Sequence, residues 1–269
     1  MPPPPDNDGA GAPGPPDFIG VGSVGSGTGW WLRLLLAHPE IRPPHGQRRA
    51  LHHFDAFCDH PMADADIDAY HRCFPRRAGT ITGEWTPRYM FDAWTPPLLK
   101  RAAPDAKLLA MLSDPIERFR AIFTERLASR PSDERFFMTD VVERRHHAQQ
   151  LMRLRRFYDP DRILVLQFER CRRDPVGEYR RTLEFLGVRD TAFAPKRLRG
   201  SAAGGLLALV VPRRLGERIA GRPMVARAAA PLWPDIEAAL HTALDPDVAA
   251  LQRLVPELDL SLWPSFARR

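Results

Sequence analysis

The sequence predicts an α/β fold, with a central parallel sheet flanked by helices and a helical C-terminal part. Strand-like apolar runs alternate with helical stretches as far as about Asp190, an order typical of parallel sheets covered by helices. A glycine-rich turn, within FIGVGSVGSGTGWW (18–31), joins the first strand to the first helix. Ligands of such folds bind at the carboxyl ends of the strands, so we expect the functional site at that edge.

Four runs have the composition of buried strands, with apolar and β-branched residues between breaker or polar residues. They are FIGVG (18–22), GTITGEW (79–85), AKLLAML (106–112) and RILVLQF (162–168). Connections between parallel strands of this kind are right-handed. In the segment HPEIRPP (38–44) we expect no strand.

The predicted helices lie between and after these strands. They cover about 27–37, 65–74, 87–101, 115–129, 133–157 and 174–187. Pro87 lies near one helix start, and Pro115 follows Asp114, a residue type that caps helices. The helix over 133–157 is long and polar, and the one after it ends at a glycine. Beyond about 190 we expect a loop over 194–205, a basic helix and a helical packing segment ending at LDLSLWP.

The composition is that of an ordinary soluble globular protein. The 269 residues are 44% hydrophobic and 27% charged, and the net charge is +6. Only three of the 39 basic residues are lysines, and the arginines are scattered. Because no aromatic–basic module accompanies them, we expect no nucleic-acid partner. A solvated, arginine-rich surface and attraction of anionic ligands are both consistent with this charge.

The ends of the chain and its cysteines bear on location. The segment MPPPPDNDGAGAPGPP has neither a basic start nor an apolar core, so we expect a disordered tail over 1–16 and no signal peptide. Residues 17–269 are expected to form a single domain. The longest apolar run is too short for a membrane span. The three cysteines form no CxxC pair, which predicts a cytoplasmic protein without a metal site.

The glycine-rich turn has the build of a phosphate-binding loop, a strand followed by glycines and a helix start. It is no Walker A motif, because Thr28 and Gly29 stand where the Lys and the hydroxyl residue are needed. GxGxxG is present at Gly20, Gly22 and Gly25, but no second strand ending in an acidic residue follows at the required distance. No Lys or Arg lies between Asp17 and Leu32.

Five stretches in the same order resemble the sulfotransferase family. The loop resembles that family's GVxRSGTTW, ALHHFDAF (50–57) its KELHFFD, and GEWTPRY (83–89) its GEKTPxY. KLLAMLSDPIERFRAIF (107–123) is similar to KLIVLLRDPVERAYSHY, and RILVLQFERCRRDP (162–175) to the late strand and its YExLxxDP continuation. The resemblance implies a P-loop-like sulfotransferase fold and the donor PAPS, a nucleotide with a 5′-phosphosulfate and a 3′-phosphate, or its product PAP, with no metal.

The resemblance also implies roles for particular positions. In the family, loop amides hold the 5′-phosphate, a loop Lys or Arg stabilises the departing charge, and an Arg and a Ser hold the 3′-phosphate. The residues expected to contact the donor are Gly25, Ser26, Gly27, Thr28, Gly29, Trp30, Ser113, Arg197 and Arg199. At several matching positions this chain lacks the family's functional residue. Gly25 stands at the position of the loop cation, Ser113 and Ala121 at those of the 3′-phosphate pair, and Ala50 at that of the base.

Three titratable residues are the candidates for acid–base chemistry: His52, His53 and Glu84. His52 matches a family histidine, and Asp55 follows on the same segment and could orient it. On an extended stretch the two histidines point to opposite faces, so at most one faces the site. Glu84 ends a predicted strand, which would place it at the cleft.

Three functions remain open on these residues. The first is PAPS-dependent sulfuryl transfer to a small-molecule acceptor through atypical donor contacts. The second is a sulfotransferase scaffold repurposed for a PAPS-independent reaction on a small metabolite in biosynthesis. The third is a non-catalytic binding protein. The oligomeric state is left open.

Overall fold

A five-stranded parallel sheet forms the centre of the protein, in the strand order β2-β3-β1-β4-β5. The structure is a computed structural model that describes residues 11–45, 50–127, 142–189 and 232–267. The strands are β1 (Phe18–Gly22), β2 (Ile41–Arg42), β3 (Ile81–Trp85), β4 (Lys107–Leu112) and β5 (Ile163–Gln167). The predicted fold class is confirmed.

Helices cover both faces of the sheet. They are α1 (Thr28–Leu35), α2 (Asp64–His71), α3 (Thr95–Ala102), α4 (Pro115–Leu127), α5 (His147–Leu154), α6 (Phe168–Arg173), α7 (Pro175–Leu186) and α8 (Pro234–Leu254). Leu108 of β4 packs into a core cluster with residues of α8, whereas its neighbour Leu109 packs into a second cluster with residues of α1 and α7. This alternation follows from the two-residue period of a strand. Within the described ranges, no helix is long and apolar enough to cross a membrane.

Three predicted elements differ from the structure. Ile41–Arg42 forms a short strand that pairs with Ile81–Thr82, because an edge strand this short depends on its partner and not on local composition. Residues 86–94 form turns, and the helix begins at Thr95, with proline in its first turn. The described part of the long polar helix is interrupted by a turn before His147, and residues 128–141 lie outside the described part.

Part of the predicted disordered tail, residues 11–16, lies beside Arg76 and makes defined contacts. Gly11 pairs with Arg76 in an isolated antiparallel bridge, and the Gly14 amide donates to the Phe74 carbonyl at 3.4 Å. The Arg76 guanidinium donates to both carboxylate oxygens of Asp17 at 2.7 Å and to the Pro15 carbonyl. Residues 11–16 thus lie along Arg76, whereas residues 1–10 fall outside the described residues, and disorder of the tail stays a prediction.

The helical C-terminal part is confirmed for residues 232–267. Helix α8 packs against α5, and the carboxylate of Asp247 accepts the backbone N–H groups of Ala148 and Gln149 at 2.9 and 3.2 Å. Asp247 thus caps α5 from a different helix. The predicted loop over 194–205 and the predicted basic helix fall within 190–231, outside the described residues.

Replacing Asp247 with Ala should destabilise the protein by about 1–3 kcal/mol, because two amides in the first turn of α5 lose a buried acceptor. Urea denaturation would measure the change. Glu184→Ala is the matched control, since Glu184 is exposed on α7 and its loss should change stability by less than about 0.5 kcal/mol. Equal effects of the two substitutions would contradict the capping role.

Candidate active site

The loop Ser23–Gly27 leaves the carboxyl end of β1 and leads directly into α1. Gly25 and Gly27 both have φ of +81°, the left-handed region that glycine adopts without strain. Gly27 is the N-cap of α1, no side chain caps this end, and its first turn holds no acidic residue. The amides of a helix start with no side-chain cap are suited to bind an anion.

Three buried hydroxyl groups connect this loop to the end of β4. Ser23 Oγ lies 2.6 Å from Ser26 Oγ, which lies 2.8 Å from Ser113 Oγ. The Ser23 amide also donates to the Met111 carbonyl at 2.7 Å. These hydrogen bonds fix the loop against β4, so Ser26 and Ser113, both expected to contact the donor, lie together.

Two arginines from other parts of the chain reach the loop. The guanidinium of Arg118, on α4, lies against Gly25, where a Cβ atom would be 2.0 Å from Nη2 and 2.2 Å from Nε. Arg145 is 1% exposed, and its Nη1 donates to the Val24 carbonyl at 3.2 Å. The loop without a basic residue of its own therefore has two guanidinium groups beside it.

His147 is fully buried near the same end of β4. Burial, and after it the positive charge of Arg145, lower its pKa to about 3, while a backbone interaction with Ser113 partly opposes the shift. His147 is therefore neutral at physiological pH. A surface position is the usual expectation for a histidine on a polar helix; the first residue of α5 is instead directed into the core.

The segment carrying the two candidate histidines is held by three side chains. The amides of Leu51, His52 and His53 donate to Glu84 Oε2 (3.4 Å), Thr86 Oγ1 (3.2 Å) and Tyr89 Oη (2.9 Å) respectively. All three acceptors belong to β3 or the turns that follow it. The Thr86 amide in turn donates to the Gly20 carbonyl of β1. The segment is thereby attached to the same edge of the sheet as the loop.

His52 is positioned as the more accessible histidine. Its φ is +53°, uncommon for a residue other than glycine. The imidazole is about half exposed, and Nδ1 lies 2.7 Å from Asp55 Oδ2. Arg88 lies 3.6 Å from the same oxygen and pairs with Asp92 at 3.1 Å. Because Nδ1 is engaged by Asp55, Nε2 is the nitrogen left for a ligand.

His53 and Glu84 point into the protein. The His53 ring packs against Phe54, Phe57 and Tyr70, and burial lowers its pKa. Glu84 is 1% exposed and accepts hydrogen bonds from Tyr70 Oη (3.1 Å) and Thr86 Oγ1 (2.6 Å) besides the Leu51 amide. Burial raises its pKa, and these hydrogen bonds oppose the rise. Glu84 thus holds the histidine segment and does not line an open cleft.

The other residues expected to contact the donor vary in accessibility. Thr28 is buried as the first residue of α1, and Trp30 packs edge-on against Trp31 and Phe168. Gly29 is exposed, and an added Cβ would meet only the end of Arg33, at 3.8 Å. Arg197 and Arg199 lie outside the described residues. In the part of the chain that the structure describes, no group of three His, Cys, Asp or Glu residues could hold a metal.

Comparison with known proteins decides the family. A family model described as "Sulfotransferase family" matches residues 16–192. The chain belongs to the sulfotransferase family. This match includes the loop, the histidine segment, Ser113 and both arginines, so the sulfotransferase assignment covers the site described above.

The sulfotransferase resembles both animal and bacterial proteins. It is 28% identical over 200 residues to heparan sulfate glucosamine 3-O-sulfotransferase 3B1 of Mus musculus, covering 67% of this chain and 48% of that protein. The chain thus spans about half the length of the curated relatives it matches. A sulfotransferase from Alicyclobacillus acidocaldarius has a similar structure, with a TM-score of 0.66, 25% identity, and coverage of 92% of this chain and 98% of that one.

A mouse sulfotransferase complexed with PAP shows the same fold, with a TM-score of 0.54, 14% identity, and coverage of 88% of each chain. Two contributors to the site that the sequence did not indicate, Ser23 and Arg145, carry no sequence signal of their own. Arg145 is 121 residues from the carbonyl that it contacts, so only the folded chain brings the two together.

His147 should make this sulfotransferase less stable in acid. Its pKa of about 3 in the folded state lies below the ordinary 6.5, so the unfolded state binds the extra proton and stability falls as the pH decreases through 6.5. The loss due to His147 should be about 2 kcal/mol between roughly pH 7.5 and 5. Urea denaturation at both pH values measures it.

The buried carboxylates Glu84, Glu169 and Asp247 have raised pKa values and change stability in the opposite direction, so the difference between wild type and His147→Gln isolates the histidine. The variant should lack this part of the pH dependence. Parallel stability–pH curves for the two proteins would contradict the prediction.

Proposed function

We propose that this sulfotransferase transfers a sulfuryl group from PAPS to a hydroxyl of a small-molecule acceptor. The observation that carries the proposal is the glycine loop, which opens α1 with no side-chain cap and is fixed to β4 through Ser26 and Ser113. Loop amides and the start of α1 can hold the 5′-phosphate. The accessible His52–Asp55 pair, at the same edge of the sheet, can supply the base.

His52 takes the role of the base that the family places at the position of Ala50. In the proposed reaction the acceptor's hydroxyl proton passes to Nε2 of His52 as its oxygen forms a bond to sulfur. The bond between sulfur and the 5′-phosphate oxygen breaks, and that oxygen leaves with the electron pair. Asp55 fixes the proton on Nδ1 and stabilises the imidazolium that forms, as in other oriented histidine bases.

The described residues fit one end of PAPS better than the other. Loop amides, serine hydroxyls and two arginines suit the 5′-phosphosulfate. Ser113 and Ala121 bring no charge to the positions that hold the 3′-phosphate in the family. We include Arg197 and Arg199 in the proposal as the residues that contact the 3′-phosphate. A cytoplasmic location, supported by the three free cysteines, is part of the same proposal.

The uncharged Ser113 favours a second candidate function. Its hydroxyl is engaged with Ser26, and a scaffold that no longer binds the 3′-phosphate could serve a PAPS-independent reaction on a small metabolite. The two candidates differ in whether PAP binds. Isothermal titration calorimetry with PAP decides between them: saturable binding supports sulfuryl transfer, and no binding at millimolar PAP supports the second candidate.

The ratio of affinities for PAP and adenosine 5′-phosphate measures the 3′-phosphate contact. With Arg197 and Arg199 in place, we expect PAP to bind about 10- to 100-fold more tightly than adenosine 5′-phosphate. This factor is the value of one charge-assisted phosphate contact. The Arg197→Ala, Arg199→Ala double variant should reduce the ratio to near one, while Arg189→Ala should leave it unchanged. Equal affinities in the wild type would refute the role of this pair.

His52→Ala should lower the rate of sulfuryl transfer by about 10²–10⁴-fold, the usual contribution of a general base. Asp55→Asn should lower it less, because the histidine remains. His60→Ala is a matched control, since exposed His60 makes the same 2.7 Å contact with Asp59. Radiolabelled PAPS and a panel of hydroxyl acceptors, with a heparan saccharide among them, provide the assay. Full activity of His52→Ala would exclude it as the base.

A further inference from the structure

The loop has no basic residue, yet a guanidinium occupies the space where a basic side chain would begin. Gly25 is the position at which the family's loop carries Lys or Arg. A Cβ atom built on Gly25 would lie 2.0, 2.2 and 2.3 Å from Nη2, Nε and Cζ of Arg118. Real atoms do not approach so closely, so the Arg118 side chain in this position requires glycine at 25.

The start of α4 directs Arg118 to the loop. Asp114 caps α4, and Ser113 comes directly before it. The Ser113 hydroxyl is hydrogen-bonded to Ser26 of the loop. The Arg118 amide donates to the Asp114 carbonyl at 2.9 Å, so Arg118 lies one turn into the helix. The contact between loop and helix start therefore places the guanidinium over Gly25.

We propose that Arg118 is the cation of the phosphate loop, supplied from α4 instead of from the loop itself. This inference rests on the proposed function, because it assigns Arg118 to the 5′-phosphate end of the donor. A guanidinium presents several N–H donors in a plane and matches phosphate oxygens in pairs. Arg118 would then bind the charge that develops on the 5′-phosphate when sulfur leaves it.

Arg118→Ala should lower the affinities for PAP and for adenosine 5′-phosphate by the same factor, about 10- to 100-fold, because both ligands carry the 5′-phosphate. Adenosine 3′-phosphate, which lacks it, should bind the variant and the wild type equally. Arg120→Ala is the matched control: Arg120 lies on the same helix but pairs with Glu117 and Glu237, and its loss should leave PAP affinity unchanged. Urea denaturation checks that each variant is folded. If Arg118→Ala does not fold, Arg118→Gln takes its place in the same measurements.

The steric exclusion between positions 25 and 118 provides a second test. Gly25→Lys alone should weaken the binding of PAP, because its Cβ displaces Arg118 and because a lysine at a φ of +81° is strained. The strain is present with and without Arg118, so it cancels in the comparison of the four proteins. Combining Gly25→Lys with Arg118→Ala returns a cation to the loop in the space that the arginine vacated. This double variant should bind PAP at least tenfold more tightly than Arg118→Ala does. Such recovery is a coupling between neighbouring residues that a double-mutant cycle detects. A merely structural role of Arg118 predicts that the double variant binds PAP no more tightly than Arg118→Ala, because relief of the collision alone returns no cation to the loop.

The outcomes separate the two proposals. Wild type that binds PAP, with Arg118→Ala binding equally well, overturns the role of Arg118 and leaves sulfuryl transfer standing. Wild type that does not bind PAP overturns the proposed function, and pyrophosphate then tests Arg118: thermal stabilisation of wild type but not of Arg118→Ala supports the loop cation. Stabilisation of both proteins by pyrophosphate, or of neither, overturns it.

Discussion

The start of α4 is the constraint on which the rest of the site depends. The Asp114 carboxylate accepts two amides of the helix's first turn through Oδ1 and the Ser265 amide through Oδ2. The Asp114 amide donates to Glu169, whose other oxygen accepts from Trp263 Nε1 at 2.9 Å. Because the C-terminal segment thus fixes the point at which β4 becomes α4, it also fixes the direction in which Arg118 leaves the helix.

The histidine segment depends on a similar arrangement at β3. Glu84, Thr86 and Tyr89 each accept one amide of a segment with no regular secondary structure, and a buried carboxylate without partners would be costly. The positive φ of His52 persists because neighbouring amides are held on both sides of it. The strained residue is also the accessible one, an arrangement common where a side chain must be presented to a ligand.

Strong local signals explain how much of the fold could be predicted. The apolar strands, the Asp114–Pro115 helix start and the glycine loop each follow from a few neighbouring residues. The two-residue strand β2 and the turn before α5 depend on partners distant in the sequence and were mispredicted. At the site, the sequence indicated the loop, Ser113 and His52. It could not show that Arg118 and Arg145 reach the loop, or that Glu84 points inward, because those facts concern directions in space.

The absence of a basic residue from the loop therefore has a different meaning in the folded protein than in the sequence. From the sequence alone, Gly25 is interpreted as the loss of the loop cation. Read in space, it is the condition for placing Arg118 there, since any side chain at that position would collide with the guanidinium. A cation anchored on a helix that is itself capped and fixed by the C-terminal segment has fewer accessible positions than one on a glycine-rich loop. In the role proposed for Arg118, less conformational entropy would then be lost when a phosphate binds.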